Sequence, residues 1–558
     1  MAKGEINQLF TIEGEALNKE DATLLEHPNP QTKRDSFLNL NGLWDYKISN
    51  NDFIDNLEYD GKIRVPYPIE SILSNVNKRL KKGEYLIYHK VIDLKGFKLK
   101  DKLLLNFIMI DQEATIYVNK KVVGKFVNPY LPIIVDIAPF IDKEKSIDLI
   151  VVVKDDLDLK LPYGKQSSNP GGIFYTPCSG IMHGVYLEAV NADYISSFKI
   201  DTNNSGLVKI EASTTSKVIK YEVLFAGKAV ARGKSKDNNF SFKIDNPKLW
   251  DVDNPNLYEL VLETSEKLYS YFGFREVSII DKKICINGVP VMFKAVLDQG
   301  YYPDGIYAVA SYECYKKDIM AMKELGYNTL RKHIKIEAPY FYYLCDKMGM
   351  YLMQDCINNS DISFIRDTLL PTLRLQSRND KNLHKDEVSR ANFLKTMEKE
   401  VKYLYNHPSI VYYTIFNEGW GQFEADKAYD AFKKIDSTRI VDATSGWFWQ
   451  TKSDVDSYHI YLRRLEVKES NRPIIISEFG AYVYSVDGHV YRNGNHTAYH
   501  AYKTIDDYKK AYKYLYDEQV APLLDKISGY VYTQLSDVEE ENNGLVTYDR
   551  KVNKLKDL

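Results

Sequence analysis

The first half of the chain alternates short apolar runs with turn residues. Runs such as LLLNFIMI and SIDLIVVVKD fall within residues 37–190, and YEVLFAG and LYELVLET continue the same spacing to residue 277. Short strands that are regularly separated by turns are typical of antiparallel β-sandwiches. The pattern therefore predicts two β domains, the first over residues 1–190 and the second over residues 191–277.

A different pattern begins after Asn287-Gly288, where strand-like runs alternate with helical ones. Apolar residues recur at helical spacing in two segments, and a further helix is predicted around residues 339–348. The two stripes are Tyr315, Ile319, Met322 and Leu325, and Phe393, Met397, Val401 and Leu404. Eight strand candidates within residues 278–558 match the count of a (β/α)8 barrel. A doubly wound sheet is the competitor, but no GxGxxG motif follows any strand to favour it.

Two glutamates close apolar strands of the predicted barrel. The fourth strand, in the run SIVYYTIFNEG, ends in Asn417-Glu418, and the seventh, in the run RPIIISEFG, ends in Ser477-Glu478-Phe479-Gly480. Because functional side chains of such barrels project from the C-terminal ends of the strands, both carboxylates are expected at one rim. A single glutamate at a strand end is usually an ordinary solvated or ion-paired residue. Two carboxylates can instead share the acid and nucleophile roles of glycoside hydrolysis, about 5–5.5 Å apart for retention and farther apart for inversion.

The amino-acid composition of the chain limits the classes of molecule that it is expected to bind. The formal net charge is only −3, from 74 Lys and Arg against 77 Asp and Glu, so neither nucleic acid nor an anionic membrane is expected. The N-terminal segment lacks a signal-peptide core, and no apolar run reaches about 18 residues. The five cysteines are scattered without a CxxC pair, which favours free thiols in a reducing compartment. We therefore expect a cytoplasmic protein, whose 44 tyrosines and 5 tryptophans include rings that can stack on sugars.

Several motifs together resemble glycoside hydrolase family 2, which includes β-galactosidases, β-glucuronidases and β-mannosidases. The two glutamates stand in Asn417-Glu418 and Glu478-Phe479-Gly480, which resemble the family's acid/base and nucleophile signatures. Upstream, Asn41-Gly42-Leu43-Trp44 resembles its jelly-roll domain, and Gly273-Phe274-Arg275 resembles its immunoglobulin-like domain. The order and spacing of these motifs agree with those of the family over residues 37–550. The resemblance implies a jelly-roll sandwich, an immunoglobulin-like sandwich and a C-terminal TIM barrel in the three predicted domains.

The same resemblance implies a retaining double displacement on a terminal β-glycoside. Glu478 attacks the anomeric carbon while Glu418 protonates the leaving oxygen, and Glu418 then deprotonates the attacking water. Glu478 must stay ionised, whereas the pKa of Glu418 must be raised so that it holds a proton near neutral pH. Asn417 matches the residue that hydrogen-bonds the sugar 2-OH, and Arg331 matches the arginine that steadies the nucleophile. A turn-capping role for Asn417 and a plain barrel salt bridge for Arg331 are the alternatives.

Other rim residues are candidates for substrate contacts. Tyr461 or Tyr458 could donate to Glu478, with a core tyrosine as the alternative for each. His333 is a candidate that lies one position before the histidine of the family pattern. Trp447 and Trp420 are candidates for platforms on which the sugar stacks. The remaining candidates are Asp298 and Asp304 after strand one and Lys332 and Lys335 after strand two. Each of these roles has an alternative that involves no sugar: the tryptophans could be buried, Asp304 could stabilise a turn, and the lysines could be solvated loop residues.

Two departures from the family pattern bear on the sugar. Phe174 stands where β-galactosidases and β-glucuronidases carry an aspartate, and Glu541-Asn542-Asn543-Gly544 replaces the Asn-x-Lys pair that holds a uronate carboxylate. An acidic residue such as Glu541 should repel a uronate. We therefore expect kcat/KM for a β-galactoside to exceed that for a β-glucuronide by at least about tenfold. A β-galacturonide becomes the competing substrate if Lys332 or Lys335 points into the cavity at the C-terminal rim of the barrel.

A catalytically silent carbohydrate-binding protein on the same scaffold is the main competing function, and the presence of both glutamates argues against it. A different barrel hydrolase is not favoured because the sequence has no GxSxG motif, and an aldolase is not favoured because no lysine at a strand end has a suitable setting. The expected partner is a carbohydrate substrate, with homo-oligomerisation left open. No metal-ligand set stands out around Glu418, so neither a metal nor a cofactor is expected.

Overall fold

The computed structural model describes residues 5–17, 21–127, 130–141, 146–363, 365–372, 375, 379–493 and 500–556. It contains two antiparallel sandwiches followed by an eight-stranded parallel barrel, which confirms the predicted fold class. The division into domains at residues 190 and 277 stays a prediction. Within the described residues, no helix is both long enough and apolar enough to cross a membrane.

The N-terminal jelly roll consists of two stacked antiparallel sheets. A short helix, α1 (Ile12–Ala16), precedes the strands β1 (Leu38–Asn39), β2 (Gly42–Ser49), β3 (Gly61–Val65), β4 (Tyr85–Asp93), β5 (Lys102–Phe107), β6 (Ile110–Asp111), β7 (Glu113–Val118), β8 (Lys121–Val127), β9 (Ile133–Asp136), β10 (Ser146–Lys154), β11 (Gly180–Ile181) and β12 (Val185–Val190). The sheet orders are β3-β2-β4-β10-β7-β8 and β1-β12-β5-β9, and β6 pairs with β11. Their facing surfaces enclose an aliphatic core that includes Ile116, Leu149 and Val151.

The second sandwich is smaller and immunoglobulin-like. Its strands are β13 (Ser197–Thr202), β14 (Leu207–Ser213), β15 (Ile219–Phe225), β16 (Lys228–Ser235), β17 (Asn239–Lys243), β18 (Tyr258–Glu263) and β19 (Lys267–Phe272). They form the sheets β13-β14-β17 and β16-β15-β18-β19. Strand β18 shows why this sequence forms a sandwich, because Tyr258, Leu260 and Leu262 are buried while the residues between them are more exposed. This alternation places one apolar face against the other sheet.

Three short strands, β20 (Val277–Ile280), β21 (Lys283–Ile286) and β22 (Val289–Pro290), form a small antiparallel sheet before the barrel. The barrel strands are β23 (Phe293–Asp298), β24 (Thr329–Lys332), β25 (Tyr351–Asp355), β26 (Ile410–Asn417), β27 (Ile440–Ser445), β28 (Asp456–Ile460), β29 (Ile474–Gly480) and β30 (Gly529–Thr533). Their order is β27-β26-β25-β24-β23-β30-β29-β28. At the seam between β27 and β28, the Ser445 hydroxyl and His459 Nε2 hydrogen-bond at 3.0 Å. Each strand lies within one of the eight predicted runs.

The helices of the barrel region are α2 (Glu313–Glu324), α3 (Pro339–Met348), α4 (Leu370–Thr372), α5 (Glu387–Leu404), α6 (Ala425–Ile435) and α7 (Ile505–Tyr514). Short 3-10 segments lie at Pro30–Thr32, Ile72–Ser74, Ala138–Phe140, Asp380–Asn382 and Ala521–Leu523, and π-helical turns at Ile365–Leu369 and Leu515–Val520. Helix α5 begins after Asp386, whose carboxylate accepts from the Ser389 N–H at 2.8 Å. It buries the predicted stripe Phe393, Met397, Val401 and Leu404. Helix α2 likewise buries Tyr315, Ile319 and Met322, and the fourth member of its stripe, Leu325, is its C-cap residue.

A loop of the jelly roll lies against the segment that follows β30. The backbone N–H groups of Gly172 and Thr176 donate to Glu540 at 3.1 Å and Glu539 at 2.8 Å. Between them, the hydroxyl of Tyr175 donates to Glu541. The N-terminal domain therefore contributes to the C-terminal mouth of the barrel.

Candidate active site

Glu418 and Glu478 lie close together at the C-terminal rim of the barrel. Glu418 directly follows β26, and Glu478 lies near the end of β29. One oxygen of each carboxylate and one ring nitrogen of His459 lie within 4.8 Å of one another. The Glu418 backbone is left-handed, with φ of 54°, and its N–H donates to the Ser445 carbonyl at 3.0 Å. Backbone strain of this kind is concentrated at functional sites.

His459, on β28, lies between the two carboxylates. Its Nδ1 hydrogen-bonds Glu418 Oε1 at 2.8 Å, and its Nε2 lies 3.5 Å from Glu478 Oε1. The His459 side chain is completely buried. His459 was not among the predicted site residues, although it lies two positions before Tyr461 and therefore on the same face of the strand.

Arg331, on β24, holds Glu478 and Asn417 together. Its guanidinium donates to Glu478 Oε1 at 3.1 Å and to Asn417 Oδ1 at 2.8 Å. Its Nε donates to Asp355 Oδ1 at 3.0 Å, and Asp355 Oδ2 hydrogen-bonds His333 Nδ1 at 2.8 Å. Arg331 and Asp355 are almost completely buried, so water screens these charges little. The predicted residues Arg331, Asn417 and His333 thus meet in one network, through an aspartate that the sequence did not single out.

Tyr461 supplies a second hydrogen bond to Glu478. Its hydroxyl donates to Glu478 Oε2 at 2.6 Å and also bonds Thr533 Oγ1 at 3.0 Å. Tyr458 instead packs against Trp449, with ring centroids 4.9 Å apart. Of the two predicted tyrosines, Tyr461 is the one that contacts the carboxylate.

The surroundings move the pKa values of the two carboxyls in opposite directions. Burial and the negative charge of Glu478 raise the pKa of Glu418. Burial also acts to raise the pKa of Glu478, but His459, Arg331 and the Tyr461 hydroxyl outweigh it and lower that pKa. The opposite shifts favour the protonated form of Glu418 and the ionised form of Glu478.

Trp447 and Trp420 line the site but are largely buried. Trp447 donates its Nε1–H to the Glu418 carbonyl at 3.0 Å, and its ring centroid lies 5.3 Å from that of His459. Trp420 is only 1% exposed, and its Nε1 has no hydrogen-bond partner among the described residues. Its ring lies 5.6 Å from that of Phe174. Both tryptophans therefore form walls of the site, in line with the burial alternative.

Three charged residues that the sequence placed among the sugar contacts have partners within the protein. Lys332 forms buried ion pairs with Asp298 at 2.6 Å and with Glu337 at 3.1 Å. Lys335 lies 3.0 Å from Glu337 and donates to the Gly300 carbonyl, and Asp298 also accepts from the Gly300 N–H at 2.8 Å. The sugar contacts of Asp298, Lys332 and Lys335 stay predictions.

Asp304 is likewise structural. Its Oδ2 accepts from the backbone N–H and the hydroxyl of Thr11, at 2.8 and 2.6 Å, and its side chain is buried. Thr11 is also the N-cap of α1. This carboxylate therefore holds the N-terminal segment against the barrel, and a sugar contact of Asp304 stays a prediction.

Glu541 and Lys165 bring opposite charges to the mouth of the site. Glu541 is buried and accepts a hydrogen bond from Tyr175. Burial raises the pKa of Glu541, and the charge of Lys165 acts to lower it. Lys165 lies in the jelly roll, and its Nζ lies 4.8 Å from the centre of the Trp420 ring. Lys165 was not predicted, because no local motif marks a contact with a later domain.

Glu418, His459 and Glu478 form the one group among the described residues whose atoms are spaced for a metal ion. Nδ1 of the histidine and Oε1 of Glu418 already hydrogen-bond each other.

Family models match two adjacent parts of the chain. The model described as the TIM barrel domain of glycosyl hydrolases family 2 matches residues 277–556, and a second family 2 model matches residues 187–275. The chain belongs to glycoside hydrolase family 2. The barrel match contains both Glu418 and Glu478, together with every barrel strand.

This family 2 chain is also similar to individual proteins. It is 26% identical over 471 residues to a β-galactosidase from Actinobacillus pleuropneumoniae, covering 76% of this chain and 45% of that protein. It is 24% identical over 358 residues to a putative β-glucuronidase from Formosa agariphila, covering 59% of this chain and 39% of that protein. The chain thus spans less than half the length of either relative. A β-glucuronidase structure from an uncultured Clostridium sp. shares the fold, with a TM-score of 0.75, 17% identity and coverage of 96% of this chain and 98% of that one.

Proposed function

We propose that the protein is a retaining exo-β-glycosidase that acts by double displacement. Glu478 attacks the anomeric carbon while Glu418 protonates the leaving oxygen, which gives a covalent glycosyl ester. Glu418 then removes a proton from a water molecule that attacks the same carbon, so the sugar leaves with its original configuration. The observation that carries the proposal is the adjacent pair of carboxyls whose pKa values are shifted in opposite directions.

The spacing of the carboxylates supports retention. Their nearer oxygens lie within 4.8 Å of each other, whereas an inverting pair stands about 6.5–9.5 Å apart to leave room for water. At the closer spacing, one carboxylate reaches the anomeric carbon while the other reaches the glycosidic oxygen.

The electrostatic coupling between Glu418 and Glu478 supports the change of role that Glu418 must make. Before attack, the charge of Glu478 raises the pKa of Glu418, which favours the protonated acid. Ester formation neutralises Glu478 and removes that repulsion. The pKa of Glu418 then falls, so the same group is ready to act as a base toward water.

Asn417 has a free donor for the sugar. Its Oδ1 accepts from Arg331 at 2.8 Å, while its Nδ2 is buried without a hydrogen-bond partner among the described residues. A buried donor without a protein partner is unfavourable, and a bound hydroxyl would give it one. We assign that hydroxyl as the sugar 2-OH, whose hydrogen bonds strengthen in the transition state.

A β-galactoside is the first candidate substrate. Glu541 lies at the mouth of the site, where its charge disfavours a uronate, and Lys332 and Lys335 are engaged in buried ion pairs. A β-uronide such as a β-galacturonide is the second candidate. The observation that favours it is Lys165, a buried cation beside Trp420.

Azide rescue tests the roles assigned to Glu478 and Glu418. The substrate is the nitrophenyl β-glycoside that the unsubstituted protein hydrolyses best. Glu478→Gly should lose turnover, and azide in the vacated space should yield the α-glycosyl azide. In Glu418→Gly the covalent ester still forms with this activated leaving group, so azide should yield the β-glycosyl azide. As a matched control, Glu541→Gln should hydrolyse the substrate without forming an azide. Near-native kcat in Glu478→Gly, or the same azide anomer from both glycine variants, would contradict the assignment.

A further inference from the structure

Lys165 is a buried cation that lacks an acidic partner. Its residue is 5% exposed, and no carboxylate oxygen of the described residues lies within 4.0 Å of its Nζ. Arg331, Lys332 and Lys335, the other cations around the cavity at the C-terminal rim, each have such a partner. Lysines are rarely buried unless they are paired, because removing an ammonium from water is costly. Lys165 is therefore a buried cation without a direct ion pair among the described residues.

Three aromatic rings surround the Lys165 ammonium. Its Nζ lies 4.8 Å from the ring centre of Trp420, 5.8 Å from that of Phe174 and 5.9 Å from that of Tyr175. Attraction to the ring faces holds the cation in place. The rings offer no oxygen acceptor within hydrogen-bond distance, so the ammonium N–H donors are available to an incoming oxygen.

The ammonium belongs to the same site as the two glutamates. Trp420 lies two residues after Glu418, and Tyr175 hydrogen-bonds Glu541. The charge of Lys165 also acts to lower the pKa of both Glu418 and Glu541. A group bound by Lys165 would thus lie beside the carboxyls that act on the glycosidic bond.

We propose that Lys165 is a specificity-determining residue that binds an anionic substituent on the sugar. This inference extends the second candidate of the proposed function, the acidic substrate, over the neutral galactoside: the substrate class is a β-glycoside with an acid group on its exocyclic carbon, either a uronate carboxylate or a 6-phosphate. The inference rests on the proposed glycosidase function. Glu541 opposes it, because its carboxylate also lies near Lys165 and repels an anion. Replacement of Lys165 and replacement of Glu541 should therefore change the preference for acidic sugars in opposite directions.

The kinetic test uses the full chain with nitrophenyl β-galactoside, β-galacturonide, β-glucuronide and 6-phospho-β-galactoside. In Lys165→Met, kcat/KM for at least one acidic substrate should fall at least about tenfold more than kcat/KM for the galactoside. Lys165→Arg, which keeps the charge, should recover part of that loss. Glu541→Gln should raise the ratio of acidic to neutral kcat/KM. The acidic substrate that responds identifies whether the anion is a carboxylate or a phosphate.

A matched control is Lys160→Met, because Lys160 lies in the same part of the jelly roll but is half-exposed and pairs with Asp386 at 3.1 Å. This variant should leave every ratio unchanged. Equal losses on neutral and acidic substrates in Lys165→Met would show that Lys165 only supports the site, and they would overturn the proposal. Unchanged ratios would overturn it as well.

A binding experiment separates this proposal from the glycosidase assignment. Calorimetric titration of Glu478→Gln with galacturonate, galactose 6-phosphate and galactose requires no turnover. At least one acid should bind more tightly than galactose, and Lys165→Met in the same background should abolish that advantage. If no glycoside is hydrolysed but this difference is observed, the proposed function fails and the anion site stands. If binding of neither acid depends on Lys165, the anion site fails whatever the kinetic result.

Discussion

Tyr461→Phe removes one hydroxyl from the site and leaves the ring. The hydroxyl donates to Glu478 Oε2 at 2.6 Å. Since this hydrogen bond stabilises the ionised carboxylate, its loss should raise the pKa of Glu478 and weaken the nucleophile at low pH. The acid limb of the kcat/KM profile, which reports the essential base of the free enzyme, should therefore move to higher pH.

The size of that shift follows from the hydrogen bond itself. A hydrogen bond to a charged group contributes roughly 1.5–3 kcal/mol. One pKa unit corresponds to about 1.4 kcal/mol, so the limb should move by about 1–2 units. Arg331 still donates to the other oxygen at 3.1 Å and keeps part of the stabilisation, which favours the lower end of this range.

The assay is the pH dependence of kcat/KM for an activated nitrophenyl glycoside. Tyr458→Phe is the matched control, because this neighbouring tyrosine packs on Trp449. Its profile should coincide with that of the unsubstituted protein. An acid limb that stays in place in Tyr461→Phe, or that moves equally in both variants, would refute the role given to Tyr461.

Two further predictions follow from the pKa shifts of single carboxyls. In Glu418→Ala, kcat/KM should fall by roughly 10²–10⁴-fold for alkyl glycosides, which need a protonated leaving group, and much less for dinitrophenyl glycosides; equal losses would point to another acid. Burial raises the pKa of Glu70 in the jelly roll from 4.5 to about 8. The folded state therefore holds this proton more tightly than the unfolded state, so its contribution to stability is lost as pH rises from 4.5 toward about 8. Glu70→Gln should flatten that fall in the thermal midpoint, and an unchanged pH dependence would contradict the shift.

The fold could be predicted because its elements are defined by local apolar patterns. Strand β26 is a largely apolar run that is buried along its whole length, as found where both faces are covered, and α5 carries four apolar residues on one stripe. The two glutamates followed from the same patterns, because a barrel brings the ends of all its strands to one rim. Periodicity also separates Tyr461 from Tyr458, since these residues are three positions apart and residues an odd number apart face opposite sides of a strand.

The rest of the site depends on partners that are distant in sequence. Lys332 and Asp298 have no local feature that predicts their buried ion pair, because the pairing joins two different strands. Lys165 lies near the barrel because the jelly roll docks on the segment after β30, through contacts such as Tyr175 to Glu541. Contacts of this kind are not visible in the local sequence.

The most direct test of the central claim is the configuration of the sugar at the moment of release, followed by proton NMR with the best β-glycoside of the panel. A double displacement through Glu478 predicts that the β-anomer accumulates first and that the α-anomer appears later, at the rate of mutarotation. Initial release of the α-anomer would mean direct attack by water. That result would contradict both the nucleophile assignment and the interpretation of carboxylate oxygens that lie within 4.8 Å of each other.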